Sequence, residues 1–175
     1  MRQVVDEGRI REFMRALGRE AAAPGTVYLT GGATAVLCGW RGSTVDIDIK
    51  LVPDQDAVLR AIPALKERLS INVELAAPDD FIPAPEGWID RSPFVATEGR
   101  LTFRHFDLYS QALAKIERGH AKDLEDVRAM VQRGLVDTAK LRAFFAAIKG
   151  RLYKYPAVDP ASFETALRAF LEKPA

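Results

Sequence analysis

The 175-residue chain has one cysteine and two histidines. A single cysteine, Cys38, closes no internal disulfide, which fits a reducing cytoplasm. His105 and His120 have no H-x-x-x-H or C-x-x-C around them, so a zinc site is not expected. Neither G-x-G-x-x-G nor G-x-x-x-x-G-K-[ST] occurs, which leaves dinucleotide and P-loop sites without support. No serine sits in a nucleophile-elbow glycine pattern. An uninterrupted apolar run is missing too. The charge-free stretch 21–40 is broken by Pro24, Gly25, Gly31, Gly32 and Gly39, and the N-terminal MRQVVDEGRIREF lacks the apolar centre of a secretory signal. The expectation is a soluble cytoplasmic protein with no membrane partner.

What is present is ordinary in bulk and uneven in detail. Apolar residues make up 48% and charged residues 28%, enough for one domain with a real core or a small domain with a helical appendage. The net charge of +1 hides a split. Residues 1–99 hold 11 Lys+Arg against 15 Asp+Glu, and residues 100–175 hold 14 against 9. Acidic sites for metal and basic surfaces for polyanions produce such a split, and so do unevenly charged packed helices.

Apolar periodicity predicts an amphipathic helix over 2–20, ended by Ala-Ala-Ala-Pro-Gly, and a first strand over 26–30. Gly31-Gly32 turns the chain into a helix over 33–40. Residues 44–52 alternate, with Val45, Ile47, Ile49 and Leu51 on one face and Asp46, Asp48 and Lys50 on the other. A helix follows to Leu69, kinked or broken at Pro63. Residues 70–76 alternate again, with Ile71, Val73 and Leu75 inward and Asn72 and Glu74 outward. The proline-rich stretch 78–93 reads as a loop, and Glu98-Gly99 as a hairpin turn between two strands. Helices are predicted over 107–118, 120–133, 137–149 and 160–172, with Gly119, Gly134 and Gly150 at the breaks. The fold class is α+β or α/β: a small mixed sheet flanked by helices over 1–104, and a helical segment over 105–175 packed on it.

Asp46 and Asp48 lie two apart on a strand, so both carboxylates project from one face. Phosphoryl transfer needs charge neutralised at the attacking and leaving oxygens, which two Mg²⁺ ions roughly 4 Å apart provide when carboxylates hold them. A solvated strand face explains the same pair. Glu74 on the next strand would converge on it if the strands are neighbours, and three converging acids repel unless a cation is bound. The glycine pair lets backbone approach an anion, with Thr30 or Thr34 able to add a hydroxyl. The interval 138–158 carries Lys140, Arg142, Lys149, Arg151 and Lys154 without an acid, among Phe144, Phe145, Tyr153 and Tyr155. Nucleic-acid contact and an ordinary helix core with solvated cations both fit it.

Gly-Gly, a short helix and Arg41-x-Ser-Thr44-x-Asp46-Ile-Asp48-Ile together resemble the minimal nucleotidyltransferases of the DNA polymerase beta superfamily. The branch with abortive-infection and toxin–antitoxin members is the most similar. A second block, from Asp107 through Lys115 to Lys122-Asp123-Leu-Glu-Asp126, is similar to that branch's downstream Lys and Lys-Asp-x-x-Asp signature. The resemblance covers about residues 26–132. It implies a polymerase-beta-like core that binds a nucleoside triphosphate with Mg²⁺, two ions, at Asp46, Asp48 and Glu74. It further implies that Gly31, Gly32, Arg41 and Thr44 line the phosphates, that Lys115 reaches one of them, and that Asp123 holds Lys115 or contacts the nucleotide. The implied acceptor is RNA, protein or a small molecule. Many members carry Gly-Ser where this chain has Gly31-Gly32, and the usual third acid is Asp. The alternative is therefore a catalytically inactive binding module, a toxin–antitoxin partner or a nucleotide-binding regulator.

Overall fold

A computed structural model describes residues 3–174. Arg2, where the first helix was expected to begin, lies outside the described residues. The chain forms two compact units. One runs up to Ala77 and adds Ser92–His105; the other comprises Pro78–Arg91 and everything from Phe106 onward.

The first unit is a five-stranded mixed sheet in the order β3-β2-β1-β5-β4. Its strands are β1 (Gly25–Thr30), β2 (Asp46–Val52), β3 (Asn72–Leu75), β4 (Phe94–Glu98) and β5 (Leu101–His105). Antiparallel β1–β2 pairing sets Leu29 against Ile49 and Thr30 against Asp48. Parallel β2–β3 pairing, closed by helix α3 (Asp56–Leu69), sets Asp48 against Glu74. Helix α1 (Glu7–Gly18) starts at Asp6, whose side chain accepts from the Arg9 amide; a satisfied first-turn N–H is what such a cap supplies. Ile10, Phe13, Met14 and Leu17 of α1 join Val58, Ile62 and Leu65 of α3 in one buried cluster. Against them lie Val27, Leu29, Ile47, Ile49, Val73 and Phe103 from one sheet face. Period-two alternation then obliges the other face to carry Tyr28, Thr30, Asp46, Asp48, Lys50, Asn72, Glu74 and Arg104.

Two inward assignments fail. Val45 precedes the strand and is 41% exposed, and Leu75 is 60% exposed at the end of β3, an edge strand. Alternation continues there past the point where α1 and α3 offer anything to bury against. Pro63 neither breaks nor ends α3, which runs from Asp56 through it to Leu69. Helix α2 (Gly31–Leu37) begins two residues earlier than the spacing suggests and is only seven residues long.

In the second unit the proline-rich stretch contains a 3-10 turn at Pro78–Asp80 and a one-turn helix α4 (Trp88–Arg91). Helices α5 (Leu108–Arg118), α6 (Ala121–Gln132), α7 (Thr138–Lys149) and α8 (Pro160–Glu172) follow. Trp88 stacks on Phe106 with ring centres 4.3 Å apart. Arg91 grips the buried Asp107 at 3.1 Å, and Asp107 also caps α5 by accepting from Ser110 N–H and its hydroxyl. Phe145 meets Phe163 edge-on at 4.9 Å, and Arg91 lies over the Phe144 ring at 4.2 Å. The 138–158 aromatics Phe144 and Phe145 are thus packing elements. No described helix is long and apolar enough to cross a membrane.

Candidate active site

The acids predicted to converge do so on the polar face of β2 and β3. Asp48 and Glu74 are direct cross-strand partners, as are Asp46 and Asn72. Asn72 is the residue that sequence reasoning left out. Its Nδ2 donates to Asp46 Oδ1 at 2.6 Å and to Glu74 Oε1 at 3.1 Å. One nitrogen bonded to both oxygens bounds their separation at the sum of those two distances. The available signal was its spacing of two from Glu74, which puts both on one face. Glu74 is exposed on the edge strand, while Asp46 and Asp48 are half-buried.

The glycine turn closes over this corner from β1. Gly31 has φ +61, and a Cβ there would come within 2.8 Å of Asp48 Oδ2. At Gly32 a Cβ would land on Thr44 Oγ1. The left-handed backbone and the lack of a side chain are both needed at Gly31; at Gly32 only the missing Cβ matters. Thr44 is anchored by reciprocal backbone bonds with Val5 at 2.7 and 2.9 Å, and its hydroxyl donates to the Asp46 carbonyl at 3.1 Å. Arg41, half-buried in the same connection, closes its N–H on the Ala35 carbonyl at 3.2 Å. Gly31, Gly32, Thr44, Asp46, Asp48 and Glu74 are therefore neighbours.

Thr34 is not available as an added hydroxyl. It is fully buried, donating to the Leu29 carbonyl at 3.2 Å and standing 3.0 Å from His105 Nδ1. With the hydroxyl proton committed to Leu29, Thr34 accepts from His105 Nδ1–H. His105 Nε2 then faces Cys38 Sγ at 3.5 Å, a contact between residues 67 positions apart that no local spacing announces. Burial, with the Arg11 charge nearby, lowers the His105 pKa from 6.5 to about 4. Cys38 caps the end of α2 and is half-buried.

Lys115 and Asp123 belong to the second unit. Lys115 is 8% exposed and its Nζ lies 2.8 Å from Asp126 Oδ2 and 3.4 Å from Asp123 Oδ1. Arg118 adds two hydrogen bonds to Asp123, at 2.7 and 2.6 Å. Burial raises the Asp123 pKa, but the Arg118 hydrogen bond and the Lys115 and Arg118 charges outweigh it, leaving it below the ordinary carboxylate value. Two cations thus balance two buried carboxylates, as burial of charge demands.

Oxygen donors from Asp46 and Asp48 suit Mg²⁺, which takes one or two protein carboxylates and completes its shell with water and phosphate. Among the described residues no group of three or more His, Cys, Asp or Glu is arranged to hold a metal ion. The Asn72 amide stands between Asp46 and the third acid. The two-carboxylate version of the site fits; a closed three-acid cage does not.

Residues 8–167 match a family model described as "Nucleotidyltransferase of unknown function (DUF6036)". No curated protein and no solved structure matches the chain.

Proposed function

The chain belongs to this nucleotidyltransferase family, and we propose that it transfers NMP from a nucleoside triphosphate to a hydroxyl acceptor in a Mg²⁺-dependent reaction. The observation that carries the reading is the shared rung of Asp48 and Glu74 beside Asp46, under the Gly31-Gly32 turn. Like charges directly opposed on a sheet destabilise it and are kept where a cation or a reaction uses them. Asp46 and Asp48 would hold the metal. Bound there, it would neutralise charge on the triphosphate and on the departing pyrophosphate.

The acceptor oxygen attacks the α-phosphorus, the bond from that phosphorus to the bridging oxygen breaks, and pyrophosphate leaves. Glu74 is exposed on the edge strand and would take the acceptor proton. The turn amides and Thr44 would line the phosphates, with Arg41 beside them. The acceptor is RNA, protein or a small molecule.

Incubating the protein with each α-labelled NTP, Mg²⁺ and those three acceptor classes tests this reading. Transfer in wild type and its loss in Asp46→Ala and Asp48→Ala are expected. Labelling of no acceptor by any NTP would sink it.

Two observations favour a second reading, a catalytically inactive binding module. The Asn72 amide already neutralises part of the Asp46–Glu74 repulsion, and Gly32 supplies no hydroxyl. A tight protein partner recovered by pull-down, with no Mg²⁺-dependent NTP binding by calorimetry, decides for that module.

A further inference from the structure

One rung from Asp48 and Glu74, the polar sheet face carries four side chains in a line: Lys50 of β2, Tyr28 of β1, Arg104 of β5 and Phe94 of β4. The strand registers make them successive partners, Lys50 with Tyr28, Tyr28 with Arg104, and Arg104 with Phe94. Side-chain contacts agree. The Arg104 guanidinium lies 5.9 Å from the Phe94 ring centre, and its Nη1 donates to the Ser92 carbonyl at 3.1 Å. Tyr28 is buried; burial raises its hydroxyl pKa against the pull of Arg104 and Lys50, so the group between the two cations keeps its proton. Phe94 is 59% exposed.

An exposed ring, two cations and a phenol in one line match one ligand chemistry. Aromatic faces stack any nucleobase, and Arg and Lys contact phosphate oxygens through charge-assisted hydrogen bonds. Three inter-strand steps separate Lys50 from Phe94, about 14 Å, comparable to an extended nucleoside triphosphate. Lys50 is the member beside the acids: it follows Asp48 by two residues, about 7 Å along the strand.

We infer that this row is the nucleoside-holding arm of the active site, with phosphates over Lys50 and Arg104 and the base stacked on Phe94. The inference rests on the nucleotidyltransferase reading and names side chains that the family match does not assign.

Calorimetric titration of the full chain with ATP, and separately with inorganic pyrophosphate, both with Mg²⁺, tests it. Phe94→Ala should weaken ATP about tenfold, the scale of one lost stacking contact, and leave pyrophosphate binding unchanged. Phe94→Trp should restore ATP binding. Arg104→Gln should weaken both ligands about tenfold. The exposure of Phe94 makes an unaltered melting curve for its variants the accompanying expectation. Unchanged ATP affinity in Phe94→Ala and Arg104→Gln, with loss in Asp48→Asn, overturns the row and leaves the nucleotidyltransferase reading standing. Equal weakening of ATP and pyrophosphate by Phe94→Ala overturns the stacking role. No ATP binding to wild type removes both.

Discussion

Asp48 and Glu74 face each other across a parallel strand pair, two carboxylates on one rung. Such opposition costs about 0.2–1 kcal/mol. In EDTA, Asp48→Asn should therefore melt at or slightly above the wild-type temperature. Added Mg²⁺ should raise the wild-type midpoint by mass action and leave the variant where it was. Equal shifts in both proteins would place the metal elsewhere.

The second unit makes a prediction of opposite sign. Lys115→Ala strips two buried aspartates of a shared cation, and breaking a buried pair from one side costs about 3–5 kcal/mol. Arg118 is 60% exposed in its side chain, so Arg118→Ala should cost only about 1 kcal/mol. Urea denaturation measures both. Similar small losses would mean that the interior network contributes little to stability.

His105 supplies a pH dependence. Its folded-state pKa of about 4 lies below the ordinary 6.5, so between those values the unfolded chain binds the extra proton. Stability contributed by the neutral ring is full above pH 6.5 and is lost as pH falls toward 4, roughly 3 kcal/mol in all. Unfolding free energies taken at pH 7, 6, 5 and 4 should fall accordingly. In His105→Gln the curve should be flatter by up to about 1.4 kcal/mol per pH unit.

Gly32 can be tested by adding a hydroxyl at that position. Gly32→Ser sets its Cβ on Thr44 Oγ1, and overpacking of this kind typically costs about 1–3 kcal/mol. Thr44→Ala removes the obstructing oxygen but keeps the Thr44 Cβ, 2.7 Å from the added one. The double variant Gly32→Ser/Thr44→Ala should therefore recover only part of the loss in a thermal melt, and Gly32→Ser/Thr44→Gly more of it. Additive losses in the two single variants would show that the side chains do not compete for space.

Much of this architecture could be read from residue spacing, for identifiable physical reasons. The breaks at Gly119 and Gly134 adopt left-handed backbone, which stops a helix whatever surrounds it, so α5 and α6 end where glycine predicts. Alternation located the Ile47–Ile49 face because a whole sheet side is buried. It misplaced Leu75, because burial depends on what lies opposite and not on period. Asp46, Asp48 and Glu74 could each be picked out by spacing. Their adjacency could not, since it comes from the α3 crossover setting the β2–β3 register. The Asn72–Asp46 half of the bridge and the Cys38–His105 contact depend on tertiary packing, and separations of 26 and 67 positions along the chain conceal them.

The chain passes between its two units three times, since the second draws on Pro78–Arg91 as well as on everything from Phe106. A single cut therefore frees neither. A fragment stopped at His105 keeps all five strands but strands Trp88 without the ring it stacks on and Arg91 without Asp107. Recombination at one junction would deliver half a module, so the two units are heritable only together. Separating them by engineering calls for rejoining Ala77 to Ser92 and Arg91 to Phe106, not for truncation.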